Sequence, residues 1–304
     1  MHLISLVDWD ADRIRRLLDL AGTLKVQAME DALEPTLERK TLALVFEKPS
    51  MRTRVSFEVA MTQLGGATTY LSKDDVNLGV REPIKDGARV LSRYVDGVAA
   101  RVYRHSVVEE LAAHSSIPII NALSDLAHPC QALGDIMTIR EHMGGLEGVR
   151  VAFIGDANNV ARSLAVACAR LGLPFVIGRP EGYGFDLEFR RRLDEIAAAT
   201  GTTVESIASP EEAVAGATVV YTDVWASMGQ EEEAEERRRA FRPFQVNGEL
   251  MSHAADGAVF LHCLPAHRGD EVTDEVMESP QSAVFDQAEN RLHAERALLQ
   301  MAMG

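Results

Sequence analysis

The sequence is poor in cysteine, in aromatic residues and in positive charge. Of its 304 residues three are cysteine and 6% are aromatic, and 46 acidic against 31 basic side chains leave a formal net charge of −15. Cys130, Cys168 and Cys263 are widely spaced, which excludes a C-x-x-C metal or redox motif and indicates free thiols in a reducing compartment. The acidic balance argues against nucleic acid or an anionic membrane as the partner, because both attract a basic surface.

Long apolar runs are also missing. No run approaches the roughly 20 residues that a membrane helix needs, and the N-terminal region has no basic and apolar signal segment. We therefore expect a cytoplasmic protein without membrane contact. The length and the 46% hydrophobic content indicate a globular chain of two domains. In so acidic a chain, binding of an anionic small molecule requires a local cluster of arginines.

Short β-branched runs alternate with longer amphipathic stretches, a pattern typical of an α/β fold with parallel strands. The predicted strands are residues 41–46, 67–71, 97–103, 118–122, 149–155, 174–178, 218–223 and 258–263. The predicted helices include residues 9–25, 84–95, 108–114 and 160–172.

The segment GGLEG at residues 144–148 predicts a boundary between domains at residues 1–145 and 146–286. We expect two doubly wound lobes, each with a parallel sheet, joined by helices. Such folds bind ligands in clefts outside the carboxyl ends of their strands, so the active site is expected in the cleft between the lobes.

The segment KPSMRTRVSFEV at residues 48–59 places Ser50, Arg52, Thr53 and Arg54 in a run of five. It follows a predicted strand, and Ser50 stands where a helix N-cap belongs. In the first turn of such a helix, free N–H groups, hydroxyls and an arginine favour an anion. The segment alone leaves two alternatives open, a phosphate site or a capped helix with solvated arginines. It lacks the G-x-x-x-x-G-K-[ST] pattern, so ATP is not indicated.

A second strand, turn and helix start, VAFIGDANNVARS at residues 151–163, superficially resembles a dinucleotide fingerprint. Gly155 is its one glycine where the fingerprint has three, which argues against NAD and against a dehydrogenase. Asn158 in this segment is typical of a turn residue.

Four segments occur in the order and at the spacing of one enzyme family. They are SMRTR (50–54), HPCQ (128–131), DVWASMGQ (223–230) and HCLPAHRGDEV (262–272). Together they resemble the aspartate/ornithine carbamoyltransferases, and the last two resemble its ornithine-specific members. The likeness extends over nearly the whole chain. It implies a homotrimer without cofactor or metal, an N-terminal carbamoyl-phosphate lobe, a C-terminal ornithine lobe, and a last helix, about residues 287–304, packed on the first lobe.

The resemblance implies attack by the neutral δ-amine of ornithine on the carbonyl carbon of carbamoyl phosphate. Citrulline and phosphate would be the products, as in arginine biosynthesis. Carried over to this chain, the carbamoyl-phosphate contacts are Ser50, Met51, Arg52, Thr53, Asn77, Arg101, His128, Gln131, Cys263, Leu264 and Arg291. The catalytic residues are Arg101, His128 and Cys263, and the ornithine contacts are Asn159, Asp223, Ser227 and Met228.

In the family pattern, Met51 binds through its backbone N–H, and Arg101 bridges the phosphate and the carbonyl oxygen. His128 contacts that oxygen, Gln131 contacts the carbamoyl NH2, and Asp223 holds the α-ammonium of ornithine. Whether the Cys263 thiolate takes the amine proton stays open. Each type of residue also has a purely structural alternative: a buried ion pair for Arg101, a cap or core position for His128, a helix cap for Asp223, a buried apolar side chain for Cys263 and a surface ion pair for Arg291.

One loop departs from the family pattern. Ornithine-specific members usually read Q-x-G-R-x-E in the loop that each subunit lends to the neighbouring site, whereas this chain reads NLGVRE at residues 77–82. Asn77 is one methylene shorter than glutamine, and Arg81 comes one place late. We therefore expect a weaker phosphate contact from this loop. Arg54 is expected to pair with a carboxylate, such as Glu58 or one from elsewhere in the fold, rather than with ligand.

Other functions fit less well. Putrescine lacks the α-carboxylate and the α-ammonium of ornithine. N-acylation of ornithine removes the positive charge that Asp223 complements. Aspartate as the substrate would require cationic or amide side chains where this chain has Asp223. A carbamoyltransferase-like binding protein without activity is the alternative from another class, favoured only by the altered loop.

Overall fold

The computed structural model describes residues 1–76, 78–226 and 233–304. Three of the predicted contacts, Asn77, Ser227 and Met228, lie outside the described residues. The chain divides into two compact units, residues 1–137 with 289–304 and residues 138–288. The first unit is therefore built from both ends of the chain. The predicted division at residues 145/146 into two functional domains stays a prediction.

The first unit contains a parallel sheet whose described strands are ordered β2-β1-β3-β4. The strands are β1 (Thr41–Phe46), β2 (Ala67–Ser72), β3 (Gly97–Arg101) and β4 (Ile119–Leu123). The helices are α1 (Ala11–Met29), α2 (Met51–Gln63), α3 (Lys73–Val76), α4 (Ile84–Tyr94), α5 (His105–His114) and α6 (Pro129–His142), whose last turn lies in the second unit. A short 3-10 helix, Leu6–Asp8, precedes α1.

The second unit contains a parallel sheet with described strands in the order β7-β6-β5-β8-β9. They are β5 (Val151–Ile154), β6 (Phe175–Gly178), β7 (Val204–Ile207), β8 (Val219–Thr222) and β9 (Val259–His262). The helices are α7 (Asn159–Leu171), α8 (Leu187–Thr200), α9 (Pro210–Val214), α10 (Ala234–Phe241), α11 (Gly248–Met251), α12 (Asp274–Met277) and α13 (Val284–Met303), whose C-terminal part belongs to the first unit. A 3-10 helix, Arg242–Phe244, follows α10.

The strands next to the predicted site residues are buried along their length. β3, β5, β8 and β9 have no exposed residue, as expected of parallel strands covered on both faces. Their burial holds the strand ends in fixed positions, and the loops that follow them carry the polar residues. No helix within the described ranges is long and apolar enough to cross a membrane.

The predicted α/β fold with two parallel sheets is confirmed. All eight predicted strands are present, and their ends differ from the prediction by at most about two residues. The N-cap positions are also as expected, because Asp10 accepts a hydrogen bond from the Arg13 N–H at 2.7 Å and Ser50 caps α2. The prediction missed β7, and α13 begins at Val284 rather than near residue 287.

Candidate functional site

Most of the predicted carbamoyl-phosphate residues of the first unit lie at the carboxyl ends of β1, β3 and β4, and Arg291 lies on α13. These strands are neighbours in the sheet, where Phe46 pairs with Arg101 and Arg101 pairs with Leu123. Because neighbouring parallel strands end at the same edge of a sheet, residues 47–53 and 124–131 lie at the edge where Arg101 ends its strand. The topology thus brings together three segments that are far apart in sequence.

The start of α2 is held by a local hydroxyl network. The Ser50 Oγ accepts a hydrogen bond from the Thr53 N–H at 3.3 Å and donates to the Thr53 Oγ1 at 3.0 Å. Thr53 is fully buried, whereas the Met51 side chain is 72% exposed. A contribution of Met51 through its backbone alone is compatible with this exposure, since the first N–H groups of a helix have no partner within the helix.

The Arg54 side chain contacts protein groups, a carboxylate and an aromatic ring. Its Nε donates to the Glu58 Oε1 at 2.9 Å, and its guanidinium lies 3.9 Å from the centre of the Tyr70 ring. The predicted pairing of Arg54 with Glu58 is confirmed. The arginine-rich run therefore divides, as expected, into a structural Arg54 and the capped turn at residues 50–53.

Arg291 joins the capped turn from the last helix. Its Nη2 donates to the Thr53 Oγ1 at 3.1 Å and to the Glu295 Oε1 at 3.0 Å. The Thr53 oxygen thus accepts from Ser50 and Arg291, which leaves its own hydrogen to be donated to a further acceptor. Burial raises the pKa of Glu295, while the Arg291 guanidinium opposes this rise. Arg291 therefore contacts the capped turn through Thr53, and its ion pair with Glu295 is buried and not at the surface.

A glycine allows α6 and α13 to come this close. A Cβ placed on Gly134 would lie 3.1 Å from the Arg291 Cγ and 3.2 Å from its backbone N and Cα. Such distances are tighter than ordinary contacts, so any larger residue would push the helices apart. The close approach of the backbones sets Arg291 beside the helix that begins with the HPCQ segment.

His128 is a buried histidine of the first unit that is influenced by the charges of several arginines. It is 4% exposed. Burial holds its pKa well below the usual value of 6.5, and the charges of Arg291, Arg101 and Arg52 lower it further. The imidazole is therefore neutral near pH 7, with one nitrogen able to donate a hydrogen bond. These arginines concentrate positive charge in a chain whose net charge is −15.

Gln131 lies one turn after His128 and is also buried, with 1% of its surface exposed. Its Nε2 donates to the Asp135 Oδ1 at 2.8 Å. The neighbouring Cys130 is buried, and its thiol donates weakly to the Asn121 carbonyl oxygen at 3.5 Å. Burial raises the pKa of Cys130, so this thiol is not a reactive thiolate.

In the second unit, polar residues likewise follow the carboxyl ends of three neighbouring strands, β5, β8 and β9. In the sheet Ile154 pairs with Thr222, and Thr222 pairs with His262, so the three strands end together. The residues that follow are Asn158 and Asn159 after β5, Asp223 after β8, and Cys263 and Leu264 after β9. Leu264 has a φ of 57°, a left-handed conformation that costs a non-glycine residue about 1–2 kcal/mol.

Asp223 is the centre of this second set of residues. It is 7% exposed. Its Oδ2 accepts a hydrogen bond from the Asn158 Nδ2 at 2.8 Å, and its Oδ1 accepts from the Cys263 Sγ at 3.1 Å. The Asn158 Oδ1 also accepts from the backbone N–H groups of Val160 and Ala161, both at 3.0 Å, and thereby caps α7. The carboxylate is therefore fixed from two sides.

A metal ion is the other ligand that this cluster could attract. Ligand atoms of Asp223, His262 and Cys263 all lie within 4.8 Å of one another. The His262 Nδ1 accepts from the Leu264 N–H at 2.9 Å, and its Nε2 lies 3.2 Å from the Glu271 Oε1. Both ring nitrogens are thus engaged, which leaves His262 no lone pair for a metal. The donor set fits a hydrogen-bonded cluster better than a metal site.

Two residues that sequence reasoning did not assign belong to the described contacts. The quoted motifs do not include Asp135, and the sequence indicates only a turn residue at Asn158. Both form hydrogen bonds to predicted site residues, Gln131 and Asp223. The i,i+4 spacing of Gln131 and Asp135 is a signal that could have found the first pair, because residues four apart are neighbours on a helix.

Each of the two units corresponds to a known domain family. Residues 1–141 match the family described as "Aspartate/ornithine carbamoyltransferase, carbamoyl-P binding domain". Residues 147–302 match the family described as "Aspartate/ornithine carbamoyltransferase, Asp/Orn binding domain". The chain belongs to the aspartate/ornithine carbamoyltransferase family.

Individual members of the aspartate/ornithine carbamoyltransferase family match over nearly their full length. The anabolic ornithine carbamoyltransferase of Pyrococcus furiosus is 53% identical over 302 residues, which cover 99% of this chain and 96% of that protein. The ornithine carbamoyltransferase of Archaeoglobus fulgidus is 50% identical over 303 residues, 100% of this chain and 97% of that protein. The resemblance found in the four segments is thereby confirmed.

Solved structures of the family agree with the fold. The ornithine carbamoyltransferase from Pyrococcus furiosus superposes with a TM-score of 0.97 over 100% of this chain and 97% of that chain, at 53% identity. The enzyme from Thermus thermophilus gives a TM-score of 0.89 at 45% identity, over 100% of this chain and 99% of that chain.

Proposed function

We propose that this chain transfers the carbamoyl group of carbamoyl phosphate to the δ-amine of L-ornithine, giving L-citrulline and phosphate. The observation that carries this proposal is the hydroxyl-capped first turn of α2, where the Thr53 Oγ1 accepts hydrogen bonds from Ser50 and from the buried Arg291. The charges of Arg291, Arg101 and Arg52 also help to lower the pKa of the buried His128, which supports a site for a small anion with a polar, uncharged end in this strongly acidic chain. The ornithine carbamoyltransferases that match the whole chain supply the identity of that anion.

In the first unit, the capped turn of α2 would bind the phosphate. The free N–H groups of that turn carry the positive end of the helix dipole, and the Thr53 hydroxyl has a hydrogen to donate. Arg52 and Arg291 would add charged donors. This arrangement stabilises the negative charge that grows on the leaving phosphate as the carbamoyl bond breaks.

The carbonyl end of the substrate would lie toward Arg101 and His128. A neutral imidazole can donate a hydrogen bond to the carbonyl oxygen without releasing its proton. Arg101 can bridge that oxygen and the phosphate, which stabilises the oxyanion of the tetrahedral intermediate. Gln131 would accept a hydrogen bond from the carbamoyl NH2 group.

In the second unit, Asp223 would bind the α-ammonium of ornithine, and Asn159 the α-carboxylate end. The Asn158 and Cys263 hydrogen bonds fix both carboxylate oxygens of Asp223 before the ligand arrives. The δ-amine must lose a proton before it attacks, because such an amine is mostly protonated near neutral pH. The Cys263 Sγ lies 3.1 Å from the Asp223 Oδ1, so the thiol is held beside the carboxylate that would bind the α-ammonium.

We further propose a homotrimer in the cytoplasm, in which the loop at residues 77–82 completes the neighbouring site. The support for this assembly is the family resemblance, in which each subunit lends this loop to the neighbouring site. Cys130, Cys168 and Cys263 form no disulfide, which fits a reducing compartment. Light scattering should give three times the chain mass, and a monomeric mass would contradict the assembly.

The main test is citrulline formation from carbamoyl phosphate with ornithine, run beside putrescine, N-acetylornithine and aspartate. We expect turnover with ornithine and little with the other three amines. A folded protein without ornithine turnover would contradict the proposal, and a preference for putrescine would assign the second unit to another amine.

Arg52 and Arg54 provide a matched pair of variants on one turn of α2. Arg52→Ala should lower kcat/KM for carbamoyl phosphate at least tenfold, because a charge-assisted contact contributes about 1.5–3 kcal/mol. Arg54→Ala removes an exposed ion pair and a ring contact, so kcat/KM should change by less than about twofold. Equal losses in both variants would show that the phosphate is not bound by Arg52 specifically.

A further inference from the structure

One hydrogen bond in α6 joins a predicted substrate contact to a carboxylate outside the family pattern quoted above. The Gln131 Nε2 donates to the Asp135 Oδ1 at 2.8 Å, one helical turn further on. Both residues are buried, with 1% of Gln131 and none of Asp135 exposed. A buried carboxylate at this distance from an amide is a strong constraint on the amide, because charged hydrogen bonds are the stronger ones.

The constraint fixes which end of the amide is available. A carboxylate only accepts hydrogen bonds, so the NH2 end of Gln131 must face Asp135 and the carbonyl oxygen must face away. Among the described residues the Gln131 Oε1 has no hydrogen-bond partner. A buried acceptor left without a donor costs about 1–3 kcal/mol, so this oxygen is suited to an N–H group of a ligand.

The surroundings of Gln131 offer the opposite chemistry. His128 lies one turn earlier, and Arg291 packs on Gly134 beside Asp135. The arginines whose charges reach His128, one nitrogen of the neutral imidazole and the Thr53 hydroxyl can all donate to phosphate and carbonyl oxygens. The Asp135 and Glu295 carboxylates accept from Gln131 and Arg291, and the Gln131 oxygen is an amide acceptor suited to an N–H group of the ligand. It can distinguish a ligand NH2 from a methyl group of similar size.

We propose that Asp135 is a positioning residue that makes the site selective for carbamoyl phosphate over other acyl phosphates. It does so by holding the Gln131 oxygen toward the position of the carbamoyl NH2. Acetyl phosphate has the same phosphate and carbonyl but a methyl group at that position, and it leaves the oxygen unpaired. This inference rests on the proposed function, because it takes carbamoyl phosphate as the ligand of the first unit.

The decisive variant is Asp135→Asn, which keeps the size of the side chain. An asparagine can either donate or accept, so the Gln131 amide is free to turn over and to present its NH2 end to the ligand. We measure kcat/KM for carbamoyl phosphate in citrulline formation, and the competitive inhibition constants Ki of acetyl phosphate and of inorganic phosphate. The preference for carbamoyl over acetyl phosphate should fall at least about tenfold. The Ki of inorganic phosphate should stay within about twofold, because the phosphate contacts are not altered.

A matched control is available in the second unit. On α8 the Arg190 Nε donates to both Asp194 oxygens at the same i,i+4 spacing, on an exposed surface. Asp194→Asn should leave all three constants unchanged.

A second variant separates positioning from a structural effect. Gln131→Met removes both ends of the amide at nearly constant size, and it should by itself lower the preference for carbamoyl over acetyl phosphate. In the Gln131→Met background, Asp135→Asn should cause no further loss of preference, because it acts only through the amide. If Asp135→Asn does not fold, as judged by thermal melting, Asp135→Ser makes the same test, because its smaller side chain can also either donate or accept; an unchanged preference in that variant overturns the proposal.

Several results would overturn the proposal. They are a parallel loss for carbamoyl phosphate, acetyl phosphate and inorganic phosphate, an unchanged preference in Asp135→Asn, or an equal effect of Asp135→Asn with and without Gln131. Failure of the proposed function has a different signature, in which the wild-type protein forms no citrulline. The rise in thermal midpoint caused by each of the two acyl phosphates then still measures the selectivity.

Discussion

Replacement of Asn158 by serine separates two functions of one side chain. The Asn158 Oδ1 caps α7 by accepting from Val160 and Ala161, while its Nδ2 donates to the Asp223 Oδ2 at 2.8 Å. Serine is about as good an N-cap as asparagine, so the cap is retained. A serine hydroxyl is shorter than the carboxamide and does not reach Asp223. The variant therefore removes the donor to the carboxylate and keeps the start of the helix.

The size of the effect follows from the burial of Asp223, which is 7% exposed. A hydrogen bond to a charged group contributes about 1.5–3 kcal/mol, and its loss should lower the thermal midpoint of the protein. The effect on binding is smaller, because Cys263 still holds the other oxygen. Ordering one side chain on binding costs about 0.5–1.5 kcal/mol, which corresponds to a rise in the ornithine KM of roughly 2- to 12-fold.

The assay is citrulline formation at saturating carbamoyl phosphate with ornithine varied, together with thermal unfolding. Asn247→Ser is the matched control, because Asn247 caps α11 through the Leu250 N–H at 2.9 Å and is not among the predicted site residues. The KM for carbamoyl phosphate should not change in either variant. An ornithine KM in Asn158→Ser equal to that in Asn247→Ser would refute the argument that Asn158 prepares Asp223 for the substrate.

Two further predictions concern the first unit. Gly134→Ala should lower the free energy of unfolding by about 1–3 kcal/mol and raise the KM for carbamoyl phosphate, because the added Cβ meets the Arg291 backbone at 3.2 Å; a variant with wild-type melting and kinetics would contradict this contact. The pKa of His128 is lowered from 6.5 in the folded protein, so as the pH falls the unfolded chain binds a proton at this residue before the folded chain does. The stability contributed by the neutral ring is therefore complete above about pH 6.5 and falls as the pH drops toward the folded pKa. In a pH titration followed by NMR, the His128 ring should show no inflection between pH 6 and 8, and an inflection near 6.5 would show that the ring is solvated.

Much of the fold follows from local sequence because buried parallel strands are short apolar runs between turn residues. β7 was missed for the same reason. Its residues VESI hold two adjacent polar side chains, Glu205 and Ser206, which are exposed at the edge of the sheet. An edge strand is defined by its pairing with β6, which no local pattern in these four residues reveals.

Site residues could be predicted only where they stand in a recognisable sequence motif. Asp223 and Gln131 stand in quoted segments, but their partners act through geometry. Asn158 reaches Asp223 across 65 positions of sequence, because β5 and β8 are neighbours in the sheet. Arg291 was assigned from the family pattern, whereas its bond to Thr53 depends on a helix approach that Gly134 permits. The positions of Asn77, Ser227 and Met228 stay predictions.

The division of the first unit between the two ends of the chain has a consequence for protein synthesis. β1 to β4 and the HPCQ segment leave the ribosome well before Arg291 and Glu295, although both belong to the same compact unit. N-terminal domains usually fold first during translation, but the Thr53 hydroxyl and the Gly134 surface of α6 wait for a helix that is made last. A polypeptide interrupted anywhere in the second unit therefore lacks Arg291, so the proposed phosphate site is incomplete.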